Sequence, residues 1–178
     1  MERPFEVFGP YVLDRHKGVF DPEWQKKGWS GVDSDVGANL SKAIGVYVFS
    51  LRNKKNYKPI YVGVTTKQIF RKEVFSSKNQ LMISRLNNAK AKAKGTLCLH
   101  LLAKYQKVNS GFAKPNRDWL KSLEVLMIFL CRRKNPALLN KKHTVWLDGI
   151  GISGVTAHQK LVGKPAHAVS TFKNVMRW

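Results

Sequence analysis

Two short apolar runs with an alternating pattern stand close together in the chain, and most of the fold can be built outward from them. Residues 45–51, GVYVFSL, and 59–65, PIYVGVT, are rich in Val, Ile, Tyr and Phe, as strands are. A short basic connection holding Arg52, Lys54, Lys55 and Lys58 joins them, so an antiparallel hairpin is the economical pairing. The period of two places Tyr47, Phe49 and Leu51 on one face, and Tyr61, Gly63 and Thr65 on one face. If the pairing sets Tyr47 opposite Tyr61, both rings project from the same side. A third strand is predicted from Thr96 to about Tyr105, where Leu97, Leu99 and Leu101 alternate with Cys98, His100 and Leu102.

Helical spacing takes over elsewhere. One helix is predicted over Lys67 to Phe75 and a second over Gln80 to Lys94, with Gly95 as its C-cap. The clearest helix is 117–133, RDWLKSLEVLMIFLCRR. Asn116 and Asp118 suit its start, Arg132 and Arg133 suit its end, and Asn135-Pro136 stops it. Residues 1–40 are punctuated by Gly and Pro and read as loop and short turns packed by Trp24 and Trp29. They are either an arm on a binding face or a cover for the core. Residues 143–178 read as turns, a small hairpin and a helical ending over Ala166 to Met176. The prediction is an α+β fold: a small three-stranded, mainly antiparallel sheet flanked by helices over 41–142. An N-terminal extension, 1–40, precedes it, and a C-terminal extension, 143–178, packs on the core.

Charge changes the picture from fold to partner. The 178 residues carry 32 Lys and Arg against 11 acids, a formal net charge of +21. Such an excess points first to nucleic acid, whose phosphates attract clustered Lys and Arg. An anionic membrane surface and a generically soluble basic protein are the blander alternatives. The expected contacts are Lys54, Lys55 and Lys58 in the hairpin, Lys67 and Lys72 on the first helix, and Arg85, Lys90, Lys92 and Lys94 on the second. On a helix, such a face is also an ordinary solvated surface. Cys98 and Cys131 lie in apolar runs and read as small buried hydrophobes, with no disulfide framework or zinc spacing. There is no signal-peptide pattern, and the longest apolar run, Val125 to Cys131, is too short to span a bilayer. A soluble, cytoplasmic protein without a membrane partner is expected.

One acid is out of place. Glu124 has Leu120, Met127, Ile128 and Cys131 as its helical neighbours, and a carboxylate on an apolar stripe is costly unless paired. It is a structural ion-pair partner, a residue turned to solvent, or a ligand for a hard cation such as Mg²⁺.

The order Gly45-Val46-Tyr47, Tyr61-Val62-Gly63, Arg71, helical Glu124 and trailing Asn140 resembles the GIY-YIG nuclease superfamily. GVY stands for GIY and YVG for YIG, over about residues 45 to 140. The resemblance implies an endonuclease that hydrolyses DNA phosphodiester bonds with one Mg²⁺ or Mn²⁺ per active site. It implies that Glu124 holds the metal, Arg71 clamps a phosphate oxygen, and Tyr47 is the general base for water or orients it. Tyr61 would bond the water or phosphate, and Asn140 would buttress the site. A phenol of reference pKa ~10 serves as base only if positive charge lowers it, which the surrounding Lys and Arg could do. Arg85, in SRLNNAK, is the alternative to Arg71. Phe75 departs from the family, many of whose members carry His or Tyr four residues after the arginine; Lys67, Lys72 or His100 is the candidate replacement. The competing expectation is a basic DNA- or RNA-binding protein without catalysis, on a degenerate nuclease fold. Target preference and oligomeric state are not legible.

Overall fold

The structure is a computed structural model that describes residues 5–13, 15–16, 19–20, 23–88, 95–106 and 111–142. In chain order its elements begin with strand β1 (Glu6–Val12) and the two-residue strands β2 (Arg15–His16) and β3 (Val19–Phe20). A π-helical turn at Trp24–Gly28 runs into α1 (Trp29–Val36), and a 3-10 turn at Leu40–Lys42 follows. Then come β4 (Gly45–Asn53), β5 (Asn56–Val64), α2 (Phe70–Glu73) and α3 (Ser77–Asn88). The last elements are β6 (Thr96–Ala103), β7 (Tyr105–Gln106), β8 (Gly111–Phe112) and α4 (Arg117–Lys134).

The class is α+β, as expected, but the main sheet has four strands rather than three, all antiparallel, in the order β1-β6-β4-β5. The added strand comes from EVFGPYV, within the segment expected to be loop and turns. Its Gly9-Pro10 pair is accommodated by a register break between Phe8 and Tyr11, on an edge strand where proline's missing N–H is tolerated. The same segment also supplies α1. It is tied down through Trp24, whose indole donates to the Val12 carbonyl at 2.8 Å.

β4 lies between β5 and β6 and is buried from Gly45 to Leu51, which explains its continuous apolar run. Its alternation separates two cores. Tyr47, Phe49 and Leu51 join Leu97, Leu99 and Leu101 of β6 under Trp29, Leu40, Phe70, Phe75 and Ile83. Val46 and Val48 join Val62 and Leu102 under Ile128 and Cys131 of α4, and Leu138. So α1, α2 and α3 pack on one face of the sheet and α4 on the other.

Boundaries moved by a few residues. The first predicted helix is a single turn, α2. α3 starts earlier than expected, its description ends at Asn88, and Lys90, Lys92 and Lys94 lie outside the described residues. The third strand ends at Ala103, and α4 extends to Lys134, capped by Asn116, which accepts from the Asp118 backbone N–H at 2.8 Å. The chain divides into two compact units, Met1–Asn140 and Lys141–Trp178. The predicted hairpin, helical ending and packing of 143–178 lie outside the described residues. Among the described residues, no helix is long and apolar enough to cross a membrane.

Candidate active site

The hairpin register differs from the expected one. Lys54 and Lys55 form a two-residue turn between the paired Asn53 and Asn56, with Lys54 in the left-handed region at φ 54°. Arg52 and Lys58 belong to the strands rather than to the loop. From this turn, Leu51 pairs with Lys58 and Ser50 with Pro59. A bulge then inserts Ile60, so that Phe49 pairs with Tyr61 and Tyr47 with Gly63. Tyr47 is therefore not opposite Tyr61. Without the bulge, Tyr61 would face Val48 and its ring would lie on the other side of the sheet. With it, Ile60 and Tyr61 both enter the core on the Tyr47 face, and the two tyrosine rings lie 6.2 Å apart at 48°.

The glycines of both motifs have a steric reason. A Cβ on Gly63 would collide with the ring carbon and hydroxyl oxygen of Tyr47, so the phenol lies directly against this strand. A Cβ on Gly45 would meet the Leu102 carbonyl and the Phe70 ring. Thr65 closes this end of the hairpin: its Oγ1 accepts from the Gly45 N–H at 2.7 Å, and its own N–H donates to the Gly45 carbonyl at 2.8 Å.

The Tyr47 hydroxyl accepts a hydrogen bond from Asn79 Nδ2 at 2.8 Å. The same amide nitrogen donates to the carbonyls of Glu73 at 2.9 Å and Val74 at 3.2 Å. Asn79 thus joins the end of α2, the first turn of α3 and the sheet, and it is 1% exposed. Sequence reading missed it. A signal existed: Asn79 shares an inward stripe with Met82 and Ile83, the argument that singled out Glu124.

Tyr47 is 1% exposed and Tyr61 9%. Burial is the first cause that pushes the Tyr47 pKa up; Tyr61, Glu73 and Glu124 add to it, and only the Asn79 hydrogen bond opposes them. This corrects the expectation that surrounding cations lower it. The turn lysines, Lys54 and Lys55, are at the far end of the strands, seven residues away or about 23 Å at ~3.3 Å per residue, and Lys58, level with Leu51, is exposed four residues away. Tyr47 is held as a neutral phenol.

The remaining predicted residues divide into those near this centre and those elsewhere. Glu124 is half-buried on α4, the helix on the other face of the sheet, beside buried Leu120, Ile128 and Cys131, and its charge is the smallest of the influences on Tyr47. Asn140 clamps the outer edge of β5: Oδ1 accepts from the Val62 N–H at 2.9 Å and Nδ2 donates to the Val62 carbonyl at 2.7 Å. Asn135, also missed, donates to the Pro59 carbonyl at 2.7 Å, and the Leu139 N–H reaches the Ile60 carbonyl at 2.9 Å. Segment 135–140 therefore satisfies an edge strand that would otherwise expose its backbone. Arg71 is exposed on α2, two residues before Glu73. Arg85 is in α3, and its side chain lies outside the description. Lys54, Lys55, Lys58, Lys67 and Lys72 are all exposed.

Packing explains Phe75 and corrects one of its suggested replacements, His100. Phe75 is 8% exposed and contacts Trp24 and Trp29, with ring centroids 5.3 and 6.0 Å away; the position is core. His100 belongs to the opposite sheet face, where Nε2 lies 2.9 Å from Ser50 Oγ. It does not reach the tyrosines.

Among the described residues, no three His, Cys, Asp or Glu side chains gather as a metal cage. Glu124 offers one hard oxygen donor group, which suits Mg²⁺, an ion that takes one or two carboxylates and keeps waters and substrate phosphate as its other ligands. Comparison with family models, curated proteins and solved structures found no match to this chain.

Proposed function

We propose that this protein is a metal-dependent endonuclease of the GIY-YIG type, hydrolysing phosphodiester bonds in nucleic acid, most naturally DNA. The observation that carries the reading is the convergence at Tyr47. A second tyrosine ring, a buried amide and two carboxylates, Glu73 and Glu124, act on one phenol from four separate elements. Burial accounts for the ring contact and the amide bond; a packing tyrosine has no need of the two carboxylates.

Glu124 would hold the ion. A bound Mg²⁺ would supply positive charge to the phosphate and the leaving oxygen. Arg71, exposed and planar, is suited to a bidentate grip on a non-bridging phosphate oxygen; Arg85 is the alternative. Tyr61, more open than Tyr47, bonds the phosphate or the attacking water. Tyr47 orients rather than abstracts, because a neutral, raised-pKa phenol donates a proton poorly and accepts one poorly near neutrality. Asn140 acts through β5, fixing the strand that carries Tyr61 and Gly63.

The test is plasmid nicking with Mg²⁺ or Mn²⁺ by the wild-type protein, Glu124→Ala, Arg71→Ala and Arg85→Ala. Loss of nicking in Glu124→Ala and in one arginine variant supports the reading; variants that cut like the wild type remove it. One observation favours a second reading, a basic nucleic-acid-binding protein without catalysis: Tyr47 is almost completely enclosed. A wild-type protein that binds nucleic acid and never cuts with either ion establishes that alternative.

A further inference from the structure

A cleft of about 350 Å³ lies between residues 39–44 and 111–114, outside every group discussed above. Ala43, Ile44 and Phe112 form its apolar floor, and Asn39, Lys42 and Lys114 its exposed polar rim. No acid lines it. The Phe112 ring is braced from behind by Phe8 and Tyr105, with centroids 5.6 and 5.3 Å away. Next to the cleft, the Ala113 N–H donates to the Lys104 carbonyl at 2.8 Å, and the Lys104 ammonium sits 4.8 Å from the centre of the Trp119 ring. Trp119, in the first turn of α4, is 43% exposed.

We propose that this cleft binds one unpaired nucleotide of a nucleic-acid strand, with the Trp119–Lys104 pair carrying its neighbour. The inference rests on the nucleic-acid partner proposed above and narrows it to substrates with a single-stranded segment. The chemistry matches part by part. An apolar floor receives the face of a base, a carboxamide can donate to and accept from its edge, and two ammonium groups meet the flanking phosphates. A partly exposed indole is a stacking platform for the adjacent base. A duplex, whose bases are already stacked, presents no free base face to the floor or the indole and has no reason to engage the cleft. The hairpin tip makes the contrast: Lys54 and Lys55 are exposed on a plain turn and suit a continuous phosphate backbone. Ile44 directly precedes Gly45, so the cleft is three residues from Tyr47, roughly 10 Å along the strand. A strand lying in the cleft would pass close to a phosphate held at the tyrosines.

The experiment compares binding of a blunt duplex with binding of the same duplex carrying an oligo-dT tail, by fluorescence anisotropy. Wild type is expected to prefer the tailed duplex by about tenfold, the order that one or two stacked bases provide. Lys42→Glu/Lys114→Glu and Trp119→Ala each abolish most of that preference and keep the blunt-duplex affinity within a few fold. Lys54→Ala/Lys55→Ala weakens both ligands alike and preserves the preference. The exposed lysine pair keeps the test decisive if Trp119→Ala fails to fold. No tail preference in the wild type, or equal losses on both ligands in the cleft variants, overturns the proposal while leaving nucleic-acid binding intact. Competition by free thymidine monophosphate as effective as by the tail also overturns it, in favour of a free nucleotide. A wild type that binds neither ligand removes the nucleic-acid reading itself, and this inference with it.

Discussion

Two buried hydroxyls on β4 each have a nitrogen partner at nearly the same distance, on opposite faces of the sheet. Tyr47 is 2.8 Å from Asn79, and Ser50 is 2.9 Å from His100. Locally the pairs are alike: each satisfies polar atoms that burial would otherwise leave costly. Their surroundings differ. Burial is the first cause of the upward shift at Tyr47, and Tyr61, Glu73 and Glu124, contributed by β5, α2 and α4, add to it. His100 is shifted by burial alone, which lowers its pKa, and its near aromatic neighbour is Tyr57 with ring centroids 5.8 Å apart. A buried hydrogen-bonded pair is ordinary structure. Two carboxylates, from α2 and α4, acting on that pair in addition to burial are what make one of the two a candidate for chemistry.

The comparison breaks most directly at Glu124. Glu124→Ala should slow plasmid nicking by about 10²- to 10³-fold, the scale of removing one group that stabilises a transition-state charge. His100→Gln should leave nicking within about twofold. Equal effects in the two variants would erase the distinction between the faces. The next largest effect concerns the support beneath Tyr47. Gly63→Ala should destabilise by about 3 kcal/mol in urea unfolding, because the Tyr47 ring occupies the space of the new methyl group. Gly31→Ala, in α1 with nothing within 4 Å of the added atom, should be neutral or slightly stabilising.

Removing the nitrogen partners should sharpen the contrast at a smaller scale. Asn79→Ala removes the donor to the Tyr47 hydroxyl and the Val74 carbonyl, while the Glu73 carbonyl keeps the Ser76 N–H, and should cost about 2 kcal/mol. Combined with Tyr47→Phe, the loss should be less than the sum, since the two changes share one bond; strict additivity would show that the pair is not coupled. Ser50→Ala should cost about 1 kcal/mol, a single hydrogen bond.

The smallest effect is on pH dependence. The folded-state pKa of His100 lies below the ordinary 6.5, so the unfolded chain takes up its proton first as pH falls. Its contribution is complete above about pH 6.5 and is lost as pH drops toward and through the lower folded value. Thermal melting of His100→Gln should therefore show a flatter decline in Tm over that acid range than the wild type. An unchanged slope would mean that His100 is not held neutral by its burial.

Strands at 45–53, 56–64 and 96–103 were legible because alternating or continuous apolar runs bounded by polar residues have few other uses. α4 was legible for the corresponding helical reason, with its cap and its Pro136 stop. β1 was not, because Gly9-Pro10 reads as a break; only the neighbouring β6 reveals that the break is absorbed at an edge. Glu124 and Asn140 stood out by residue type and place. Asn79 did not, since its value depends on a phenol thirty-two residues away. The cleft at Lys42 and Lys114 was equally hidden, being assembled from segments about seventy residues apart.

By itself the sequence determined the α+β class, the central hairpin, the dense positive charge and the set of tyrosine, arginine and carboxylate side chains available. Those follow from periodicity and residue type, which are local properties. Tertiary structure decided which of these side chains meet. A two-residue turn at Lys54-Lys55 and one extra residue at Ile60 together put Tyr61 on the face of Tyr47. Either change alone would send the ring to α4's side, because strand side chains alternate with a period of two and a one-residue slip inverts the face. Tertiary structure also enclosed Tyr47, and that burial, with smaller contributions from Glu73 and Glu124, reverses the direction in which its pKa moves. Burial and charge at one atom are sums over every element packed against it, and no local stretch of sequence contains that sum.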